Sequence, residues 1–247
     1  MKILIVSGFL GAGKTTFIKR LARNVDQRFA ILENEYGAAG IDGARLGQNR
    51  QGTQKNVWEM TEQCICCIGK KDFAASVLTI ANVVDPEYLI VEPTGVGSLA
   101  RIIENLRQIE YERIQLLSPV TIVDVYSYRR YMAEYPELYQ DQIRSADTII
   151  VSKTEACQAE EKQRIQKFLQ EINPQAKIIT DYASTMTRED YQSLLLGGRY
   201  EKEVQDTQSG EKMPETFSFE NIRMEAPETL WCFLEQIIRG AFGNIIR

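Results

Sequence analysis

The sequence predicts an α/β fold in which a doubly wound, mainly parallel sheet is covered by helices on both faces. Short apolar segments alternate with helical patterns through residue 196, an order that is typical of such sheets. Segments such as 88–91 and 148–151 are apolar at every position, as expected for parallel strands that are buried on both faces. A glycine-rich loop at residues 8–15 lies between the first strand and the first helix. In such a fold, ligands are expected at the carboxyl ends of the strands.

The individual elements follow from these patterns in chain order. Strands are predicted at 2–7, 28–33, 56–60, 87–92, 119–124, 147–152 and 176–180. Helices are predicted at 14–25, 70–84, 97–109, 127–133, 137–145, 158–172 and 187–196. A polar, glycine-containing stretch at 197–214 is typical of a linker, and one alternating strand at 215–222 and one helix at 227–239 follow it. We therefore expect a domain at 1–196, a linker at 197–214, and the start of a small, truncated C-terminal domain at 215–247.

The composition excludes several classes of protein. The chain has 29 Lys and Arg against 34 Asp and Glu, with no basic block, so a nucleic acid is not an expected partner. No segment approaches the roughly 20 apolar residues of a membrane span. The first strand begins at residue 2, which leaves no room for a cleavable signal peptide, and the cytoplasm is therefore the expected compartment.

Two residue types limit the chemistry further. The chain contains no histidine, which excludes a Ser-His-Asp or Cys-His mechanism and any histidine-ligated metal within this chain. Its five cysteines are an odd number, which argues against a disulfide framework. Cys232 lies in the apolar final helix and is expected to be a core residue. Trp231 and Phe233 of the same helix are expected to pack on the domain, with a subunit contact as the alternative.

Residues 8–15 read Gly-Phe-Leu-Gly-Ala-Gly-Lys-Thr, a complete G-x-x-x-x-G-K-T phosphate-binding loop. It leaves a strand and enters a helix, so that its backbone amides converge on an anion. The Lys14 ammonium is expected at the β- and γ-phosphates, and the Thr15 hydroxyl is the expected Mg²⁺ ligand. This P-loop predicts a nucleoside triphosphate ligand. Its predicted binding residues are Gly8, Gly11, Ala12, Gly13, Lys14, Thr15 and Thr16.

Two further segments that can reach the phosphates follow predicted strands. Glu92 ends a buried strand and Gly95 follows three residues later. In P-loop proteins an acid at this point lies near the Mg²⁺, usually through water, and the glycine amide is close to the γ-phosphate. The alternative is a strand-end acid that is merely solvated. Asp42, in the loop after the second strand, is a further candidate Mg²⁺ ligand.

Residues 152–155, Ser-Lys-Thr-Glu, follow a later buried strand. Many GTPases place Asn-Lys-x-Asp here, where the acid accepts two hydrogen bonds from guanine and the Lys stem covers the ring. Glu155 can make the same paired contact with a longer side chain, and Lys153 matches the pattern, but Ser152 stands in place of Asn. The segment favours guanine over adenine.

Cys64, Cys66 and Cys67 place three thiols within four residues. Such a cluster suits Zn²⁺, Cu⁺ or another thiophilic metal. Two alternatives are small buried hydrophobic side chains and a redox pair of vicinal thiols. Without histidine, the fourth ligand has to be a carboxylate, a water or a group from a partner, and Glu33 and Glu62 are the candidates. Three thiolates with an open fourth position favour a transfer site over a structural one.

Taken together, these segments resemble the CobW-type P-loop GTPases, which include zinc metallochaperones and are related to the nickel-insertion GTPases of hydrogenase and urease. The segments that carry the resemblance are 8–16, 33–37, 41–42, 64–67, 92–95 and 152–155. The resemblance implies slow hydrolysis of GTP to GDP, with Mg²⁺, that controls delivery of Zn²⁺, Co²⁺ or Ni²⁺ to a client metalloprotein. In some members the context is cobalt and cobalamin.

In that reading Lys14, Thr15, Asp42 and Glu92 serve the reaction, and Cys64, Cys66 and Cys67, with Glu33, bind the transition metal. No residue is identified as the general base. Glu62 and Gln63 stand where the family commonly has Asn-Gly before the cysteines. A nucleotide- or metal-dependent dimer is also expected. The alternative function is a nucleotide-dependent assembly or reactivation factor for a metalloenzyme or corrinoid protein, without metal transfer.

Overall fold

Eight strands, each paired in parallel with its neighbours, form one sheet in the computed structural model, which describes residues 1–27, 29–35, 57–63, 70–204 and 226–239. Seven strands follow the order β3-β2-β4-β1-β6-β7-β8, and the short β5 pairs with β1. The strands are β1 (Lys2–Gly8), β2 (Phe29–Glu35), β3 (Val57–Gln63), β4 (Tyr88–Glu92), β5 (Gln115–Leu116), β6 (Val120–Asp124), β7 (Thr148–Ser152) and β8 (Lys177–Ile179).

The described helices begin and end close to the predicted positions. They are α1 (Lys14–Asn24), α2 (Lys70–Val83), α3 (Leu99–Arg107), α4 (Tyr128–Glu134), α5 (Pro136–Arg144), α6 (Ala159–Ile172), α7 (Tyr182–Thr185), α8 (Arg188–Leu196) and α9 (Pro227–Ile238). Only the two-residue β5 and the single-turn α7 were not expected within the described part, because neither is long enough to show a hydrophobic period. The predicted strand at 215–222 lies outside the described residues.

Helices cover both faces of the sheet, which confirms the doubly wound α/β prediction. Along β1, Ile3 and Ile5 pack on one face in a core cluster with α2 and α3. Leu4 and Val6 pack on the opposite face with α1, α7 and α8. This alternation arises because successive side chains of a strand point to opposite faces, and both faces are apolar because both are covered.

β1 lies in the middle of the sheet, between β4 on one side and β6 on the other. The chain first builds the sheet on the β4 side and then crosses β1 to continue with β6, β7 and β8. This crossing is a topological switch point, and the loops that follow the strands on its two sides open a crevice there. The loop after β1 is therefore bordered by the loops after β4 and β6.

The first residues of the predicted linker pack on the domain. Tyr200 is buried, and its hydroxyl donates a hydrogen bond to the Ser145 carbonyl at 2.9 Å. Leu117 forms an isolated antiparallel bridge with Arg199, whose guanidinium pairs with Glu110 at 3.1 Å. Residues 205–214 lie outside the described part of the chain, and the domain boundaries at 196 and 214 remain predictions.

The expectation that the apolar residues of the final helix are core residues was wrong. Trp231 is 70% exposed, and Phe233 and Cys232 are also exposed. The three core clusters of the described residues contain no residue from α9. Apolar residues along a helix predict that its apolar face is buried, but they do not identify the element or partner that buries it. No helix in the described ranges has the length and apolar character of a membrane span.

Candidate nucleotide-binding site

The predicted P-loop joins the end of β1 at Gly8 to the start of α1 at Lys14. Gly8, Gly11 and Gly13 all have positive φ angles, of 142°, 68° and 100°. At Gly8 the space is also closed, since a Cβ atom there would lie 2.4 Å from the Ile122 carbonyl oxygen of β6. The loop can therefore lie directly against the neighbouring strand only with glycine at this position.

Lys14 is buried inside the loop that precedes it. Its ammonium donates hydrogen bonds to the carbonyl oxygens of Gly8 at 3.0 Å and Phe9 at 3.4 Å. The positive end of α1 starts at the same residue, with no acidic side chain in its first turn. A buried cation and the N-terminal amides of a helix together favour an anion at this point.

Thr15 and Glu92 meet across the switch point. The Thr15 hydroxyl donates to the Glu92 carboxylate, with distances of 3.0 Å to Oε1 and 3.3 Å to Oε2. Glu92 is the last residue of β4, and Thr15 is the second residue of α1. A hydroxyl and a carboxylate are oxygen donors of the kind that Mg²⁺ prefers, so the chemistry of this pair fits that ion. Because Glu92 accepts this hydrogen bond, it is not merely a solvated acid at the end of a strand.

The loop after β4 touches the P-loop at Gly95. A Cβ atom on Gly95 would lie 2.3 Å from the Leu10 backbone nitrogen and 2.8 Å from the Leu10 Cα atom. Those distances are far inside van der Waals contact, so only glycine allows the two backbones to approach this closely. The structure thus places Gly95 beside the phosphate-binding loop, as its expected role at the γ-phosphate requires.

Ser152 contacts the P-loop. Its hydroxyl is buried and donates to the Ala12 carbonyl oxygen at 2.6 Å. A second acceptor, the Val123 carbonyl oxygen, lies at 3.4 Å. The residue that stands in place of Asn in the base-recognition segment therefore ties the end of β7 to the loop after β1. Ala12 is buried, whereas Gly11 and Thr16 are exposed.

Lys153 and Glu155 are both exposed, and they follow directly after the end of β7. Lys153 has a φ of 61°, an uncommon backbone conformation for a non-glycine residue that costs on the order of 1–3 kcal/mol and is frequent at binding sites. Its ammonium pairs with Asp124 at 2.6 Å. Nearby, the pKa of Tyr126 is raised, first by a hydrogen bond with Cys157 and further by the negative charges of Asp124 and Glu155.

A third loop joins this end of the site. Asp181, just after β8, accepts a hydrogen bond from the Lys162 ammonium at 2.5 Å. That bond, together with one from Thr154, lowers the pKa of the Asp181 carboxyl. The loops after β6, β7 and β8 are therefore connected by ion pairs and hydrogen bonds beside the exposed Lys153 and Glu155.

The transition-metal residues are only partly within the described structure. Glu33, near the carboxyl end of β2, is 6% exposed, and its backbone is in register with that of Glu92 on β4. Asp42, Cys64, Cys66 and Cys67 lie outside the described residues. Within the described ranges, no three His, Cys, Asp or Glu side chains are grouped as metal ligands. Cys64 follows directly after Gln63, the last residue of β3.

The chain matches the family of the CobW/HypB/UreG nucleotide-binding domain over residues 2–180. It belongs to this family. The CobW/HypB/UreG proteins are P-loop GTPases, which agrees with the P-loop geometry and with the resemblance noted from the sequence.

Curated relatives of known name are similar to this member of the CobW/HypB/UreG family over its P-loop domain. The zinc chaperone YeiR of Escherichia coli is 30% identical over 178 residues, which cover 71% of this chain and 53% of that protein. The zinc-regulated GTPase metalloprotein activator 1 of Dictyostelium discoideum is 25% identical over 218 residues, covering 72% of this chain and 45% of that protein. The chain spans about half the length of these relatives.

Among solved structures, the Zn(II)-bound YjiA GTPase from E. coli superposes with a TM-score of 0.55 at 19% identity. The match covers 82% of this chain and 66% of that one. At this level of identity the likeness concerns the fold, and it confirms the P-loop α/β architecture of a CobW/HypB/UreG domain.

Several residues at the site escaped prediction from the sequence. Asp124 ends β6 as Glu92 ends β4, and this shared position at a strand end was the available signal. Asp181 follows β8 in the same way. Tyr131 and Gln142 lie on helices, and their side chains donate hydrogen bonds to backbone carbonyls of the loops after β1 and β4. Their spacing along the helices is equally typical of ordinary core or surface positions, so the sequence contains no signal for these contacts.

Replacement of Ser152 by Ala tests the hydrogen bond from β7 to the P-loop. Loss of a short bond to the Ala12 carbonyl is expected to cost about 1–2 kcal/mol, so the affinity for fluorescent GDP should fall roughly 5- to 30-fold. The matched control is Ser193→Ala, which removes an exposed hydroxyl that bonds within α8. An equal GDP affinity in wild type and Ser152→Ala would show that this bond does not hold the loop.

Proposed function

We propose that this chain is a GTP-binding metallochaperone that hydrolyses GTP slowly and couples the nucleotide state to the binding of Zn²⁺, or a similar transition metal, for delivery to a client metalloprotein. The observation that carries the proposal is the Thr15–Glu92 hydrogen bond. It joins the phosphate-binding helix to β4, and β4 lies two strands from the segment that contains the cysteines.

The nucleotide part rests on the P-loop and its neighbours. The backbone amides at the start of α1 and the Lys14 ammonium are suited to neutralise a triphosphate. Thr15 and Glu92, with Asp42, would hold Mg²⁺, which neutralises charge on the β- and γ-phosphates when bound. Glu155 is exposed near the base end and can accept two hydrogen bonds from guanine, while the Lys153 stem can cover the ring.

The metal part rests on the register of three adjacent strands. Glu92 on β4 is opposite Glu33 on β2, and Glu35 on β2 is opposite Gln63 on β3. Since neighbouring strands are about 4.8 Å apart, β3, which ends at Gln63 directly before Cys64, lies roughly 10 Å from β4. A shift of the loops around a γ-phosphate can therefore reach the thiols through one intervening strand.

The donor set suits a transferable metal. Cys64, Cys66 and Cys67 supply three soft thiolates, and Glu33 is the proposed fourth ligand. A site that lacks a fourth tightly held protein thiolate or imidazole favours exchange with a client over permanent retention. The proposed compartment is the cytoplasm, where thiols remain reduced, and a nucleotide- or metal-dependent dimer is compatible with the proposal.

The names of the relatives support the same function. YeiR is a zinc chaperone, and the Dictyostelium relative is a zinc-regulated GTPase metalloprotein activator. The first name describes a protein that carries zinc, and the second describes a GTPase that zinc regulates and that activates a metalloprotein.

Zinc titration of the reduced protein tests the metal site. A chromophoric chelator in competition should show one tight Zn²⁺ equivalent per chain, and we expect Cys66→Ala and Cys67→Ala to weaken it by at least about 100-fold because each removes a thiolate ligand. The matched control is Cys232→Ala, which removes an exposed cysteine of α9. Absence of tight binding, or binding unchanged in the Cys66 and Cys67 variants, would leave the nucleotide-dependent assembly factor as the better account.

Base recognition has its own test in Glu155→Ala. Loss of two hydrogen bonds to a charged acceptor is expected to cost about 1.5–3 kcal/mol, or roughly 10- to 150-fold in GDP affinity, without weakening ADP. Glu160→Ala, another exposed acid in the first turn of α6, is the matched control. If GDP and ADP weaken equally, or wild type prefers ADP, the proposed contact between Glu155 and guanine is wrong.

A further inference from the structure

Helix α5 has two adjacent polar side chains buried against the loop that follows β4. Asp141 is 6% exposed and Gln142 is 1% exposed. Neither residue belongs to a nucleotide motif, and both are far in sequence from the loop that they contact. Burial of polar side chains costs free energy unless they form hydrogen bonds, and the loop supplies partners for the Asp141 carboxylate and the Gln142 amide nitrogen.

Gln142 holds the loop at two points. Its side-chain amide nitrogen donates to the Gly95 carbonyl oxygen at 3.1 Å and to the Gly97 carbonyl oxygen at 3.0 Å. The two N–H groups of one amide thus bind two carbonyls of the same short loop. The backbone of Gln142 is in turn fixed to the sheet, because its own carbonyl oxygen accepts the Thr121 hydroxyl of β6 at 2.9 Å.

Asp141 holds the end of the same loop. Its carboxylate accepts hydrogen bonds from the backbone amides of Leu99 at 2.6 Å and Ala100 at 3.4 Å. These are the first amides of α3, and the next one, of Arg101, is capped by the Ser98 hydroxyl. An acid from α5 therefore completes the N-terminal cap of α3 and fixes where the loop ends.

The other side of Gly95 faces the P-loop, and the neighbouring α4 holds that side. Gly95 packs against the Leu10 backbone nitrogen with no room for a Cβ atom. The Leu10 carbonyl oxygen accepts the Tyr131 hydroxyl at 3.2 Å. The Tyr131 ring lies 4.2 Å from the ring of Phe9, the preceding P-loop residue. The contact between Gly95 and Leu10 is thus held from one side by α5 and from the other by α4.

We propose that Gln142 is a positioning residue for the triphosphate: by binding the carbonyls of Gly95 and Gly97 it keeps Gly95 against the P-loop, where its amide can meet the γ-phosphate. This inference rests on the proposed GTP binding and hydrolysis. Since a diphosphate has no γ-phosphate, Gln142 acts on the affinity for GTP and on its turnover, and hardly on the affinity for GDP.

Two variants of Gln142 separate this role from simple packing. Gln142→Glu keeps the shape but places a carboxylate oxygen in place of the nitrogen that donates to the two carbonyls, and Gln142→Met keeps the length without donors. The matched control is Gln140→Glu, the same change on the same helix, where the Gln140 amide contacts the Met132 sulfur at 3.8 Å. Each protein is compared by thermal unfolding, by GDP binding, by binding of guanosine 5′-(β,γ-imido)triphosphate, and by kcat for GTP.

For both Gln142 variants we expect GDP affinity within about threefold of wild type, the triphosphate analogue weakened by at least about tenfold, and kcat reduced by a similar factor. Gln140→Glu should match wild type in all three. A parallel change in GDP and analogue affinity, or an unchanged kcat, would mean that Gln142 is only a packing residue and would overturn the inference, even where the unfolding midpoint falls.

The wild-type measurements separate this failure from failure of the proposed function. If wild type and Gln140→Glu hydrolyse GTP, and the Gln142 variants bind and hydrolyse it as wild type does, only the positioning role of Gln142 is overturned. Absence of GTP binding by wild type overturns the proposed function and, with it, the positioning role.

Discussion

The P-loop is contacted at alternate residues by three different elements, and the rest of the site depends on these contacts. Gly8 lies against Ile122 of β6, Leu10 against Gly95 after β4, and Ala12 accepts the Ser152 hydroxyl of β7. Because β1 is the central strand at the switch point, its loop has neighbours on both sides. The loop is therefore held by contacts from both halves of the sheet. A shift of any one contacting element is expected to change the geometry of the phosphate-binding loop.

This arrangement supports the proposed influence of the nucleotide on a metal site that follows β3, two strands from β4. Thr15 reaches Glu92 at the end of β4, and the parallel register continues through Glu33 and Glu35 to Gln63, directly before the cysteines. The loops at the carboxyl edge share hydrogen bonds and an ion pair, whereas the strands beneath them are buried in the core. The proposed coupling between phosphate and metal would therefore need a rearrangement along this one edge of the sheet.

The sequence predicted the fold almost completely, because apolar strands, helical periods and a P-loop are local signals. It also predicted that Thr15 and Glu92 belong to one site, since Thr15 belongs to the P-loop motif and Glu92 ends a neighbouring buried strand. Ser152 was predicted to be part of the nucleotide site as a member of the base-recognition segment, and the structure adds that its hydroxyl binds the P-loop. Gln142 and Asp141 could not be found, because a polar residue on an amphipathic helix is usually solvated and their partners are more than 40 residues away. The exposure of Trp231 was missed because the spacing of apolar residues along a helix does not identify the residues that the helix packs against.

The most direct test of the coupling is titration of the non-hydrolysable GTP analogue into the reduced protein, once metal-free and once loaded with one equivalent of Zn²⁺. Binding free energies are reciprocal, so zinc must change the affinity for the analogue by the same factor by which the analogue changes the affinity for zinc. The account predicts a difference of at least about fivefold, within the range usual for coupled sites. Equal affinity for the analogue with and without Zn²⁺ would contradict it.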